Sequence, residues 1–112
     1  MSIEEVLEAL KNSMDVKAKK DGFATLPKDH RFAVWRINGR AAEGTDDYAL
    51  YWRVNYELRI YYRDGKKEID ETHEKKFEEA LRYAAQLTSD YDYDNKDNLD
   101  ITIYRFTAAV DF

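Results

Sequence analysis

The sequence predicts an α+β fold: an antiparallel (or mixed) β-sheet with long strands, packed by two amphipathic helices, in the order α-β-β-α-β. Three patterns carry this expectation. From Leu50 to Tyr62 apolar and polar residues alternate for thirteen positions. Leu50, Trp52, Val54, Tyr56, Leu58, Ile60 and Tyr62 fall on one side; Tyr51, Arg53, Asn55, Glu57, Arg59 and Tyr61 fall on the other. A period of two means a strand with one buried face. A second alternation places Thr102, Tyr104, Phe106, Ala108, Val110 and Phe112 against Ile103, Arg105, Thr107, Ala109 and Asp111. Two other stretches repeat at helical spacing. At 112 residues the chain suits one domain with one core, spanning 1–112.

The first helix is predicted over residues 3–14. Ser2-Ile3-Glu4-Glu5 fits a capping box, and Ile3, Val6, Leu7, Leu10 and Met14 make the apolar stripe. Glu4, Glu5 and Glu8 sit in early turns, where the macrodipole favours them. Val16–Lys19 allows a short strand, and Lys20-Asp21-Gly22 a turn. After Pro27, Phe32–Ile37 reads as a strand ended by Asn38-Gly39, followed by a polar loop from Arg40 to Asp47 containing Gly44. The long strand ends in a turn at Arg63-Asp64-Gly65-Lys66. A second helix starts at Asp70 or Thr72, with Ile69, His73, Phe77, Ala80, Leu81, Ala84 and Leu87 along one stripe. Glu71–Lys75 and Glu78–Arg82 have favourable i,i+4 spacing. A short extra strand is expected near 90–94. The helices would cover the Trp52/Val54/Leu58 face, leaving Arg53, Glu57 and Arg59 facing water or a partner.

Thirteen extended residues run about 43 Å, whereas a domain of this size is about 35 Å across. The strand must bend sharply or project beyond its own core, and a projecting strand needs a cover, most simply another subunit.

Composition excludes several classes. There is no cysteine, hence no disulfide framework or zinc–thiolate site. The N-terminus opens acidic with no apolar run of signal-peptide length, and no stretch approaches a membrane span; synthesis inside the cell is expected. Net charge is −5: residues 1–40 carry +2 and residues 41–112 carry −7. An acidic chain lacking a concentrated basic face is poorly suited to tight nucleic-acid binding.

No chemistry-bearing motif stands out. Asp90-Tyr91-Asp92-Tyr93-Asp94-Asn95-Lys96-Asp97 alternates carboxylates as calcium loops do, but the positions needing Gly and Glu hold Asn95 and Ile101. A solvated acidic hairpin tip is the default, with cation binding the alternative. His73-Glu74 lacks the second histidine of a zincin helix, and His30 lies in a polar segment. Ser2, Ser13 and Ser89 border helix ends, and the glycines are scattered. Neither a catalytic role, a cofactor nor a metal is expected. Trp52, on the apolar face, reads as core, while Trp35 reads equally as core or anchor. If the long strands and the Arg40–Asp47 loop reach a neighbour, the expected contact residues are Trp35, Arg40, Asp46, Asp47, Tyr51, Arg53 and Arg59.

The order of these segments resembles the small tail terminator, or tail-completion, proteins of long-tailed bacteriophages and prophages. The amphipathic opening Ile3-Glu4-Glu5-Val6-Leu7-Glu8-Ala9-Leu10 and Pro27 before Phe32-Ala33-Val34-Trp35 carry the likeness. So do the polar loop ending at Asp46-Asp47, the strand Val54–Tyr62, the helix Glu74–Leu81 and the closing strand Asp100–Val110. The resemblance implies a structural virion protein at the tail–neck junction, assembled in the host cytoplasm. It implies a ring homo-oligomer, a hexamer, that caps the tail-tube protein and meets a head-side connector protein. DNA passes through without specific binding, and no membrane is involved. Alternatives are another neck component (a head-completion or stopper protein) or a small acidic protein-binding module. If residues 41–112 line the ring, their negative charge would let DNA slide past. Charge reversal across Asp90–Asp97 should then slow DNA delivery, and unchanged ejection kinetics would refute the acidic lumen.

Overall fold

A computed structural model describes residues 2–45, 48–63 and 67–111. The elements are α1 (Ile3–Met14), β1 (Lys17–Lys20), β2 (Arg31–Thr45), β3 (Tyr48–Arg63), α2 (Lys67–Ala80), β4 (Ala85–Asp94) and β5 (Leu99–Asp111). The fold class is the expected α+β, with the two short segments present as strands. They form one mixed sheet in the order β1-β2-β3-β5-β4. Only β1 and β2 run parallel; every other neighbouring pair is antiparallel.

Helix α1 starts where the capping box puts it. The Ser2 hydroxyl accepts from the Glu5 N–H at 3.2 Å and donates to the Glu5 carboxylate at 3.4 Å. It ends at Asp15, in the left-handed region at φ 51°, whose N–H donates to the Lys11 carbonyl. Ile3, Val6, Leu10 and Met14 are buried against the sheet.

Several boundaries differ from expectation, among them the start of α2, at Lys67 rather than at Asp70 or Thr72. Asn38-Gly39 does not end β2; the strand absorbs Asn38 as a bulge, since Ile37 pairs with Tyr56 and Gly39 with Asn55. Residues 40–45 therefore belong to strand rather than loop, because a long partner strand supplies the hydrogen bonds they need. A second irregularity skips Leu50, so strict alternation starts only beyond it. At the other end α2 stops at Ala80, and Ala84 and Leu87 leave the helical stripe. Their spacing continues the helical period, but β5 offers an unfilled edge that residues 85–94 occupy, with Gln86 at φ 55° beside a bulge. The turn at Asp64–Lys66, Asp46 and Asp47, and the side chains of Ile69 and Asp70 lie outside the described residues.

Both helices cover one face of the sheet. Val54, Tyr56, Leu58, Ile60 and Tyr62 from β3, with Tyr104, Phe106 and Ala108 from β5, are buried beneath them. Tyr56 stacks on Phe106 at 5.5 Å, and Phe77 of α2 meets Tyr104 edge-on at 5.5 Å. Helix α2 is also anchored by carboxylates. Buried Glu74 accepts from the hydroxyls of Tyr62 and Thr102, and Glu78 turns inward to accept from the Tyr104 hydroxyl at 2.7 Å. Burial, and next the Glu78 hydrogen bond, push the Tyr104 phenol well above its ordinary value. No helix among the described residues is long and apolar enough to cross a membrane.

The molecule measures 52 × 28 × 20 Å, with a radius of gyration of 15.2 Å; a compact chain of this length has about 13 Å. The long strand neither folds back nor shortens. Phe77→Ala should cost about 3–5 kcal/mol by opening a cavity under α2, read as a lower urea midpoint with an unchanged slope.

Candidate functional site

Two surfaces stand out once the strands are in register. The first is the face without helices. Phe32, Val34 and Arg36 of β2 lie across from Tyr61, Arg59 and Glu57 of β3, which pair onward with Ile101, Ile103 and Arg105 of β5. Residues 21–30 cross this face as a strap. Gly22, at φ 113°, lets the chain leave β1 where a side chain would strain it. Phe23 then meets Phe32 edge-on at 5.8 Å, and Phe32 stacks on Tyr61 at 4.9 Å. Arg63 ties the strap down: its guanidinium donates to the carbonyls of Pro27 at 2.5 Å and Asp29 at 3.3 Å, and its N–H to His30 at 2.7 Å.

Glu57 is the centre of this face. The expectation that it faces water is overturned, for only 3% of it is exposed. Arg36 places both Nε and Nη2 2.7 Å from one carboxylate oxygen, with Arg59 Nε at 3.2 Å from the same atom. Arg105 reaches the other oxygen at 3.3 Å and also pairs with Asp90 at 3.2 Å. Burial alone would raise the carboxyl. The Arg36 hydrogen bond and the charges of Arg59 and Arg36 together outweigh it, so Glu57 titrates below its ordinary value. Beside the cluster lies a cavity of about 360 Å³, bounded by Phe23, Leu26, Phe32, Tyr61 and Leu99 and by Asp94 and Asp97.

The second surface is the far end of the helix-covered face. Val54 and Tyr56 are buried, but Ile37 is 42% exposed, Leu50 55% and Val110 40%. Trp52, which pairs with Ala42 and Val110, is only half-buried, and the Arg40 guanidinium caps it 4.2 Å from the ring centre. On the opposite side of the same end, Glu43 accepts from the Tyr51 hydroxyl at 3.0 Å and pairs with Arg53 at 3.1 Å. The Glu43 hydrogen bond, then its charge, raises the Tyr51 phenol.

The expected contact residues therefore divide. Arg40, Tyr51 and Arg53 gather at the projecting end, Arg59 belongs to the Glu57 cluster, and Trp35 packs half-buried on Tyr56 with Lys20 over its ring. Asp46 and Asp47 fall outside the described residues. Arg36, Arg105 and the exposed Ile37 and Val110 were not singled out from the sequence. Strand periodicity gives the face of each residue, but only the β2–β3–β5 register brings the three arginines to one carboxylate. The alternating carboxylates of 90–97 are spread along β4 and the turn after it. Asp94 accepts from the N–H groups of Lys96 and Asp97 as a turn-former, and among the described residues no three His, Asp or Glu side chains cluster as a metal site.

No family model and no curated protein matches this chain.

Glu57→Gln should lower stability by about 1–3 kcal/mol at pH 7, because three guanidinium groups lose their anion. The folded carboxyl titrates below the unfolded one, so its contribution is present above about pH 4.3 and fades as pH falls through the folded value. The gap between wild type and variant should narrow in acid, measured by urea unfolding across pH 3–7.

Proposed function

We propose that this chain is a ring-forming structural subunit of the kind that caps the tail tube of a long-tailed bacteriophage and joins the tail to the head. One observation carries the reading. The sheet runs past its helix layer and presents apolar Leu50 and Trp52 of β3 with Val110 of β5 at its end, and Ile37 is exposed further in on β2. Isolated exposed apolar residues are ordinary on a protein surface, whereas a group of them on a projecting element marks a contact. The Arg40–Trp52 pair adds the residue types that dominate binding energy at interfaces. A ring subunit needs a reaching element on one side and a receiving surface on another, and an elongated sheet supplies both.

The order of elements supports the same reading, since helix, hairpin, helix and closing strand follow the pattern of the tail-completion proteins. The face without helices, tied together by the Glu57 cluster and crossed by the 21–30 strap, suits a load-bearing wall.

Particles made without this protein should carry abnormally long tails or heads and tails that fail to join, scored by negative-stain electron microscopy. Normal particles would refute the proposal. Ile37→Asp with Val110→Asp should change stability by at most about 1 kcal/mol, both sites being exposed, yet fail to restore joining.

A further inference from the structure

Among the described residues the sheet ends in two strands with no strand beyond them, β1 and β4, of opposite chemistry. Strand β1 is Lys17-Ala18-Lys19-Lys20, and all four residues are exposed. Strand β4 carries Asp90, Asp92 and Asp94 interleaved with Tyr91 and Tyr93. The registers carry these edges to matching heights. Following the paired residues across the sheet, one row reads Lys17, Phe32, Tyr61, Ile101, Asp92. The next rows read Ala18, Ala33, Ile60, Thr102, Tyr91, then Lys19, Val34, Arg59, Ile103, Asp90. Each row that begins in a lysine of the open face ends in an aspartate of the same face. The row between begins in a small residue and ends in a tyrosine.

From this we infer that β1 of one copy pairs with β4 of the next, so that the sheets of neighbouring subunits join edge to edge. The proposal rests on the ring reading and names the surfaces that close it. Strand directions agree. Strand β1 runs with β2 and β4 runs against it, so copies related by rotation about an axis along the strands meet antiparallel. The same rotation keeps the open faces on one side of the assembly. Lys17 then lies opposite Asp92, Lys19 opposite Asp90, and Ala18 beneath Tyr91. A two-residue stagger, which a tilted strand would introduce, preserves the matching, with Lys17 opposite Asp94 and Lys19 opposite Asp92.

The present partners of these side chains leave room for the contact. Lys17 pairs with Asp29 at 3.4 Å but remains 68% exposed, and Asp90, held by Arg105, remains 70% exposed. Lys19 and Lys20 lie over Phe23 and Trp35, contacts that place the ammonium groups without neutralising them. Charged residues on a free edge also discourage stray pairing. Here the signs are opposite on the two edges and aligned row by row, so the same charges that repel β1 from β1 and β4 from β4 favour β1 on β4. The contact is heterologous, and repeated about an axis it closes a ring.

Two measurements on the full chain test this. First, native mass spectrometry and sedimentation velocity are run on wild type, Lys17→Glu/Lys19→Glu, Asp90→Lys/Asp92→Lys and the four-residue swap. Each double reversal should weaken association about tenfold or more, and the swap should bring it back to within about threefold. Second, Lys17→Cys with Asp92→Cys, or Ala18→Cys with Tyr91→Cys, is oxidised with and without tail tubes. Facing antiparallel residues lie within disulfide reach, and the chain has no other cysteine. A covalent ladder ending at the ring size is expected. An oligomer indifferent to every reversal and yielding no ladder would overturn the edge pairing while leaving the ring. A chain monomeric alone and on tubes, again with no ladder, would overturn both.

Discussion

A helix advances about 1.5 Å per residue and a strand about 3.3 Å. The twelve residues of α1 therefore span about 18 Å and the fourteen of α2 about 21 Å, against about 53 Å for the sixteen of β3. Two such helices cannot roof a sheet of that length. Where they lie, β3 is sealed beneath them from Val54 to Tyr62; where they stop, Trp52 and Val110 come to the surface, while Ile37, level with buried Tyr56, is exposed on β2 just past the end of β1. The apolar end thus follows from unequal element lengths. Of the two bulges, the one at Leu50 falls in the unroofed part of the hairpin, whereas the one at Asn38 lies level with buried Tyr56.

The other face solves a different problem, how a sheet without helices on one side keeps water from its apolar residues. The strap over Phe32 and Tyr61 seals one part. Over the middle the chain uses arginine, whose aliphatic stem covers apolar surface while its head stays wet. Ile103, 5% exposed, pairs with Arg59 and Asp90 in its row. Three guanidinium groups this close would repel one another, and Glu57 offsets that repulsion from a buried position between them. Its depressed titration records the balance: the arginines stabilise the anion by more than burial penalises it.

Much of this was legible in the sequence. The capping box of α1 and the period-two runs of β3 and β5 are local signals; the cap forms as read and β3 alternates from Val54 to Tyr62, whereas β5 is buried on both faces over most of its length up to Ala108. What failed was long-range. Asn38-Gly39 is a sound turn signal, yet β3 continues past it and β2 follows its partner. Leu81, Ala84 and Leu87 continue a helical period, yet the vacant edge of β5 captures the chain from Ala85 onward. Glu57 has the alternation of a wet residue, and nothing local reveals that Arg36, twenty-one positions earlier, and Arg105 converge on it. Of the contact residues expected at the outset, Tyr51 and Arg53 share Glu43 on one face of the projecting end, and Arg40 lies over Trp52 on the other. Their gathering there follows from the β2–β3 pairing.

The last strand in chain order occupies an inner position. Strand β5 lies between β3 and β4, and neither of those has its partner on that side until β5 arrives. During translation a nascent chain that has emerged only as far as β4 exposes the bare flank of β3, apolar and unpaired. Such a chain is a ready template for a wrong neighbour. The sheet is thus continuous from β1 to β4 only once β5 is in place between β3 and β4.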